Sequence, residues 1–224
     1  MNELTRRHFV GATAGLATAV AMASSLGAVP AQAADRSTAW TGRDSANGWE
    51  IPGEARNFRI EGSNQSVRLA TGDAATILLY VARRFHYEIG RLRDGDVRGH
   101  RTSRRVRERH ESNYLSGTAI EIRPQAYPLG VRGGLYPMEL IVVRDILAEL
   151  DGAVAWGGDF RAPKESHFEI ALGPGHPKVK DAARKINGWN TGPGGQGAGA
   201  TDAFDPGRQA RARSFAHRNA ALTA

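Results

Sequence analysis

The stretch Ser112-Asn113-Tyr114-Leu115-Ser116-Gly117-Thr118-Ala119-Ile120-Glu121-Ile122 constrains this chain most. It predicts a loop entering a short β-strand, with Thr118, Ile120 and Ile122 toward one face and Ala119 and Glu121 toward the other. An acid opposite two isoleucines either meets water or lines a pocket. A second stretch has the same design: Ala155-Trp156-Gly157-Gly158-Asp159-Phe160 leads to Ser166-His167-Phe168-Glu169-Ile170. There Phe168 and Ile170 alternate with His167 and Glu169. If the two strands pair, Glu121 and His167 share one polar face. A carboxylate and an imidazole on neighbouring strands supply half of a metal site.

With these residues in view, the chain resembles the zinc D-alanyl-D-alanine carboxypeptidases and L-alanyl-D-glutamate endopeptidases, which cut peptidoglycan stem peptides. That family carries Ser-x-His-x-x-Gly-x-Ala-x-Asp, then a Trp-Gly-Gly turn, then Asp/Glu-x-x-His-Phe. The resemblance spans roughly residues 70 to 190. Ser112, Gly117, Ala119, Trp156, Gly157, Gly158, His167 and Phe168 fall in place. It implies an α+β fold: a small antiparallel sheet carrying the pocket, flanked by about three helices. It also implies a zinc site in which Glu121 and His167 are ligands and Tyr114 stands at a lost ligand position. The family's general base falls on Lys164. In the family, an arginine before the first histidine holds a substrate carboxylate; the similar segment here is Gly99-His100-Arg101. Arg101 and Ser112 are therefore the substrate-binding candidates.

The substitutions matter chemically. A catalytic zinc usually has three protein ligands and an open position. A phenol titrates near pH 10, so zinc binding through Tyr114 would require a costly deprotonation. A lysine ammonium has no lone pair to accept a proton, and it repels a metal. Glu165, one residue along, is a weak substitute for the base, and His110, four residues before Tyr114, is a substitute ligand if it swings in. Zinc is thus expected to be held weakly or not at all. The resemblance implies an impaired peptidase that still binds stem peptides. Two alternatives stay open: an active zinc peptidase with a rearranged site of His110, Glu121, His167 and Glu165, and a basic envelope-adhesion protein with no pocket function.

The start, Thr5-Arg6-Arg7-His8-Phe9 before an Ala/Gly-rich run to Val29, predicts a twin-arginine export signal over residues 1–33. Ala31-Gln32-Ala33 is the cleavage site, and cleavage leaves no stable membrane anchor. The expected location is secreted or in the cell envelope. With no cysteine, no disulfide or thiolate chemistry is available. A net charge of +7 suits anionic cell-wall polymers or stem peptides as partners. No nucleic-acid partner is expected, because no helix-turn-helix, zinc-finger or aromatic RNA-binding motif is present.

Residues 34–70 are polar and predict an extended arm with one or two short strands, anchored by Trp40, Trp49, Phe58 and Ile60. Residues 71–190 are the peptidase-like domain. Its first helix covers about Asp73 to Ile89, capped by Thr71 or Asp73, with Ile77, Val81, Phe85 and Ile89 facing the core. His86 is expected at the surface or its boundary. A basic loop runs from Arg83 to His110, and the proline-marked segment Arg123 to Gly130 rims the pocket. The second helix begins near Pro137 and ends at Gly152, with apolar and charged faces. A last helix covers Lys178 to Trp189. Residues 191–224, Gly-rich and then basic, predict a disordered tail, with a short helix from about Arg208 to Ala221 as the alternative.

Overall fold

The computed structural model describes residues 37–51, 55–191 and 201–223. The expected export signal and cleavage site lie outside the described residues. The fold is α+β. Its centre is a four-stranded antiparallel sheet in the order β4-β6-β8-β7, made by β4 (Val97–Arg98), β6 (Ala119–Ile122), β7 (Val154–Trp156) and β8 (His167–Ile170). Two-stranded ribbons join β1 (Thr38–Ala39) to β5 (Arg105–Val106), and β2 (Ala55–Arg59) to β3 (Ser66–Ala70). The helices are α1 (Asp73–Arg84), α2 (Pro137–Glu149), α3 (Pro177–Thr191) and α4 (Pro206–Thr223). That is one more helix than expected. Among the described residues no helix is long and apolar enough to cross a membrane.

The β6–β8 register places Glu121 opposite His167 and Ile120 opposite Phe168. The two-residue period therefore puts Ile120, Ile122, Phe168 and Ile170 together in the core, all fully buried. The other face does not meet water either: His167 is 0% exposed and Glu169 8%. α1 contributes Ile77, Leu78 and Val81 to the same core, and Phe85, just past its end, joins them. The stripe ends early, because Phe85–Ile89 is a π-helical turn and Ile89 is only partly buried. Neither Thr71 nor Asp73 caps α1. Its N-cap is Gly72, at φ 79°, with no side-chain cap. His86 is buried rather than on the surface, and its Nδ1 accepts the Leu92 N–H at 3.0 Å, tying down the loop that follows.

The N-terminal arm has three strands, not one or two, and it latches the domain. Ala46 N–H donates to Ser112 Oγ (2.8 Å), and Asn47 Nδ2 donates to Thr118 Oγ1 and the Ile170 carbonyl (2.8 Å each). These bonds pin the loop that precedes β6. Gly117, at φ 73°, completes that loop; a Cβ there would stand 2.6 Å from Ala70 N, on β3.

The disordered-tail expectation needs correction over residues 206–223, which form α4 against α2. Ala212 and Phe215 are buried, and Arg208 donates to Asp145 (2.8 and 2.7 Å) and Glu149 (2.7 Å). Asp145, on the charged face of α2, is therefore only 3% exposed, and Arg84 from α1 reaches it as well at 2.8 Å. This is the helix alternative, and it holds because Phe215 and Arg208 point the same way, onto α2.

Candidate functional site

The Trp156-Gly157-Gly158 turn shapes the site. Lys164 N–H donates to Gly157 O and His167 N–H to Lys164 O, both at 2.9 Å, and Trp156 Nε1 donates to Glu165 O at 2.8 Å. A Cβ on Gly157 would meet Lys164 O at 2.4 Å, so only glycine lets the two segments touch. The turn thus presents Lys164 and His167 beside β6.

Lys164 is buried and its ammonium lies between two carboxylates, Glu111 at 2.9 Å and Glu121 at 2.5 Å. It also sits 5.2 Å from the Tyr114 ring centroid. Arg101 adds a second cation, 3.7 Å from Glu111 and 5.3 Å from the Tyr114 ring. Burial alone would raise the Glu111 carboxyl. The Lys164 ammonium, the Arg107 N–H and Arg101 outweigh it and hold the group at about 2. Its folded value lies below the ordinary 4.5, so its contribution to stability is present above pH 4.5 and is lost as pH falls toward 2. Chemical unfolding measured across that window should show Glu111→Gln with a flatter acid limb than the parent. Parallel limbs would mean that Glu111 is not held by this pairing.

Behind this cluster runs a second chain of polar groups. The Tyr114 hydroxyl hydrogen-bonds His167 Nδ1, and His167 Nε2 bonds Glu169 at 2.7 Å. Asn113 Nδ2 donates to the same Glu169 oxygen at 2.6 Å. Burial first, then the Glu121 and Glu111 charges, push the Tyr114 phenol well above its ordinary value. The phenol stays protonated, and it shares one hydrogen bond with the His167 ring at Nδ1 while the other ring nitrogen meets Glu169. His110 stacks beside His167 at 4.7 Å between ring centroids, and its Nε2 is buried without a partner. Burial and then the His167 ring lower it to about 3, so it is neutral.

The sequence-predicted residues thus converge only in part. Glu121, His167, Tyr114, Lys164 and Arg101 are neighbours. Ser112 is not a substrate contact: it is 0% exposed, accepting from Ala46 N–H and donating to Arg109 O at 2.8 Å, so it belongs to the arm latch. Glu165 is not available as a base. Its carboxylate faces away and accepts the N–H groups of Gly133 (2.6 Å), Gly134 (2.8 Å) and Leu135 (3.2 Å). That geometry removes the base from the rearranged-site alternative. The donors as placed do not make a zinc set. Both His167 nitrogens are bonded, Glu121 faces an ammonium, and Tyr114 keeps its proton. Among the described residues no group of three His, Asp or Glu side chains is disposed to hold a metal ion.

In front of the cluster opens a cavity of about 460 Å³, walled by β3, β4 and the segment after it. Arg68, Arg98, His100 and Arg101 line it, with Tyr114 and Glu121 at its margin. His100 Nδ1 and Arg101 Nε are buried there without a hydrogen-bond partner. Sequence reasoning reached Arg101 but missed the others. The alternation Ser66-Val67-Arg68-Leu69 was the available signal for Arg68, since it sets Arg68 opposite the buried Val67 and Leu69. Glu111, the second acid on Lys164, carried no such signal. No family model, no curated protein and no solved structure matches this chain.

Proposed function

We propose that this chain is an exported D-alanyl-D-alanine carboxypeptidase-like domain that has exchanged its metal for a lysine ammonium and binds cell-wall stem peptides without cutting them. The observation that carries this reading is Lys164, held at 2.9 Å from Glu111 and 2.5 Å from Glu121. An ammonium there supplies the positive charge a metal would bring, but it generates no hydroxide. The family's base position is the same residue, so both parts of the hydrolytic machinery are lost together. Binding remains feasible: the Arg101 guanidinium lines the cavity with its Nε unpartnered, and a planar fork suits a terminal carboxylate.

The test is direct. The purified protein should take up no stoichiometric zinc and release no D-alanine from a stem pentapeptide, yet bind that peptide, and Arg101→Ala should weaken binding about ten-fold, the worth of one charge-assisted contact. Tyr114→His with Lys164→Asp, which returns a ligand and a base and removes the ammonium, should gain zinc. Tight zinc and chelator-sensitive cleavage in the unaltered protein would overturn the proposal.

A further inference from the structure

The charge of the cavity exceeds what one carboxylate needs. Arg98 stands directly across from Glu121 in the β4–β6 ladder, but that carboxylate faces Lys164 instead. Arg68 and Arg98 are exposed and make no ion pair among the described residues. Both are brought to one wall by a close backbone approach. His100 N–H donates to Arg68 O at 2.8 Å, and a Cβ on Gly99 would lie 2.2 Å from that same oxygen. Burial and then the Arg68 charge lower the His100 pKa, so the ring is neutral. Its Nδ1 remains buried and unpartnered.

We propose that the Arg68, Arg98 and His100 wall of this cavity is a binding site for a phosphoryl group. A carboxylate offers two oxygens and one charge, and Arg101 alone can satisfy it. Two further guanidiniums, neither held in an ion pair among the described residues, and an imidazole nitrogen match an anion with three terminal oxygens and up to two charges. The guanidinium fork takes such an anion bidentately, whereas lysines would only attract it. The cavity volume, about 460 Å³, leaves room for the organic group that carries the phosphate. This site shares the cavity with the carboxylate contact proposed for Arg101 but uses other residues, and it does not depend on that contact.

A monoester on a small molecule carries three terminal oxygens and up to two charges, whereas a diester in an anionic wall polymer carries two oxygens and one charge, and titration of the full chain separates them. The probes are acetate, inorganic phosphate, phenyl phosphate and a short glycerol-phosphate oligomer, with the stem pentapeptide measured alongside. Phenyl phosphate or the oligomer should bind at least about ten-fold tighter than acetate. Phenyl phosphate binding more tightly than the oligomer bears out the match to a monoester, and the reverse order overturns that match in favour of a polymer diester. Arg68→Ala and Arg98→Ala, both at exposed positions, should each weaken phosphoryl binding about ten-fold and leave the melting temperature unchanged. Phosphoryl probes that bind no tighter than acetate, or that bind the double variant as well as the parent, overturn the site. Loss of pentapeptide binding with phosphoryl binding intact counts against the peptide reading alone.

Discussion

Ending the chain after Asn190 lowers the unfolding midpoint by roughly 10 °C. Two losses drive this. Phe215, 7% exposed, is removed from the face of α2, and full burial of such a side chain contributes about 1.5–3 kcal/mol. Arg208 is removed as well, and with it three charge-assisted bonds to Asp145 and Glu149. Asp145 keeps Arg84 at 2.8 Å and Glu149 keeps Lys185, so neither acid is left alone. The two losses together come to about 3–5 kcal/mol, and each kcal/mol moves a domain of this size by roughly 2–4 °C. Arg208→Ala in the full chain should cost about a third as much, since Phe215 stays in place. Calorimetry of the three proteins checks the order. A truncated chain that melts within 2 °C of the parent would mean that α4 contributes nothing to the domain.

The same helix marks the boundary of what the sequence made legible. Strand-scale alternation was enough to pair β6 with β8 and to set Glu121 across from His167, because a two-residue period fixes which face each side chain takes. Helices α1, α2 and α3 were legible for the same reason, through apolar spacing. α4 was not, because its apolar anchors are few and its partners, Asp145 and Glu149, lie about sixty residues away in sequence. A long-range ion pair leaves no periodic trace. Ser112 failed differently. Its residue type and spacing fit a substrate contact, but the Ala46 amide from the arm occupies its hydroxyl. Glu165 fits a base by residue type, but the amides of Gly133 to Leu135 claim its oxygens. In both cases the competing partner is a backbone group, which any sequence supplies and no motif reveals. Lys164 was read only as standing where the resembled family has its base. Its second role, bridging Glu111 and Glu121, depends on a 3₁₀ turn at Arg109–Tyr114 that brings Glu111 beside β6.

Replacing Lys164 with methionine separates the ammonium's charge from its packing, and it should destabilise the domain by about 3–5 kcal/mol, the usual cost of deleting one partner of a buried ion pair. Methionine fills much of the same space, so the loss is electrostatic. Glu111 retains the Arg107 N–H at 2.8 Å and Arg101 at 3.7 Å, whereas Glu121 loses the ion-pair partner that covers it. The effect should therefore shrink when the stranded charge is removed too: Lys164→Met with Glu121→Gln should regain more than half of the lost stability. The dependence on pH has a definite sign. In the parent, Glu111 is held at about 2, so acid removes stability. In Lys164→Met the burial that raises the Glu111 carboxyl is opposed only by the Arg107 N–H and Arg101, so the group lies higher than in the parent. The variant therefore loses less of this contribution in acid than the parent does, and the gap between them narrows from pH 7 toward pH 4. Denaturant midpoints at three pH values measure it. A gap that widens in acid, or a single variant as stable as the parent at pH 7, would show that the ammonium does not hold these two carboxylates and would remove the ground for treating it as the substitute for a metal.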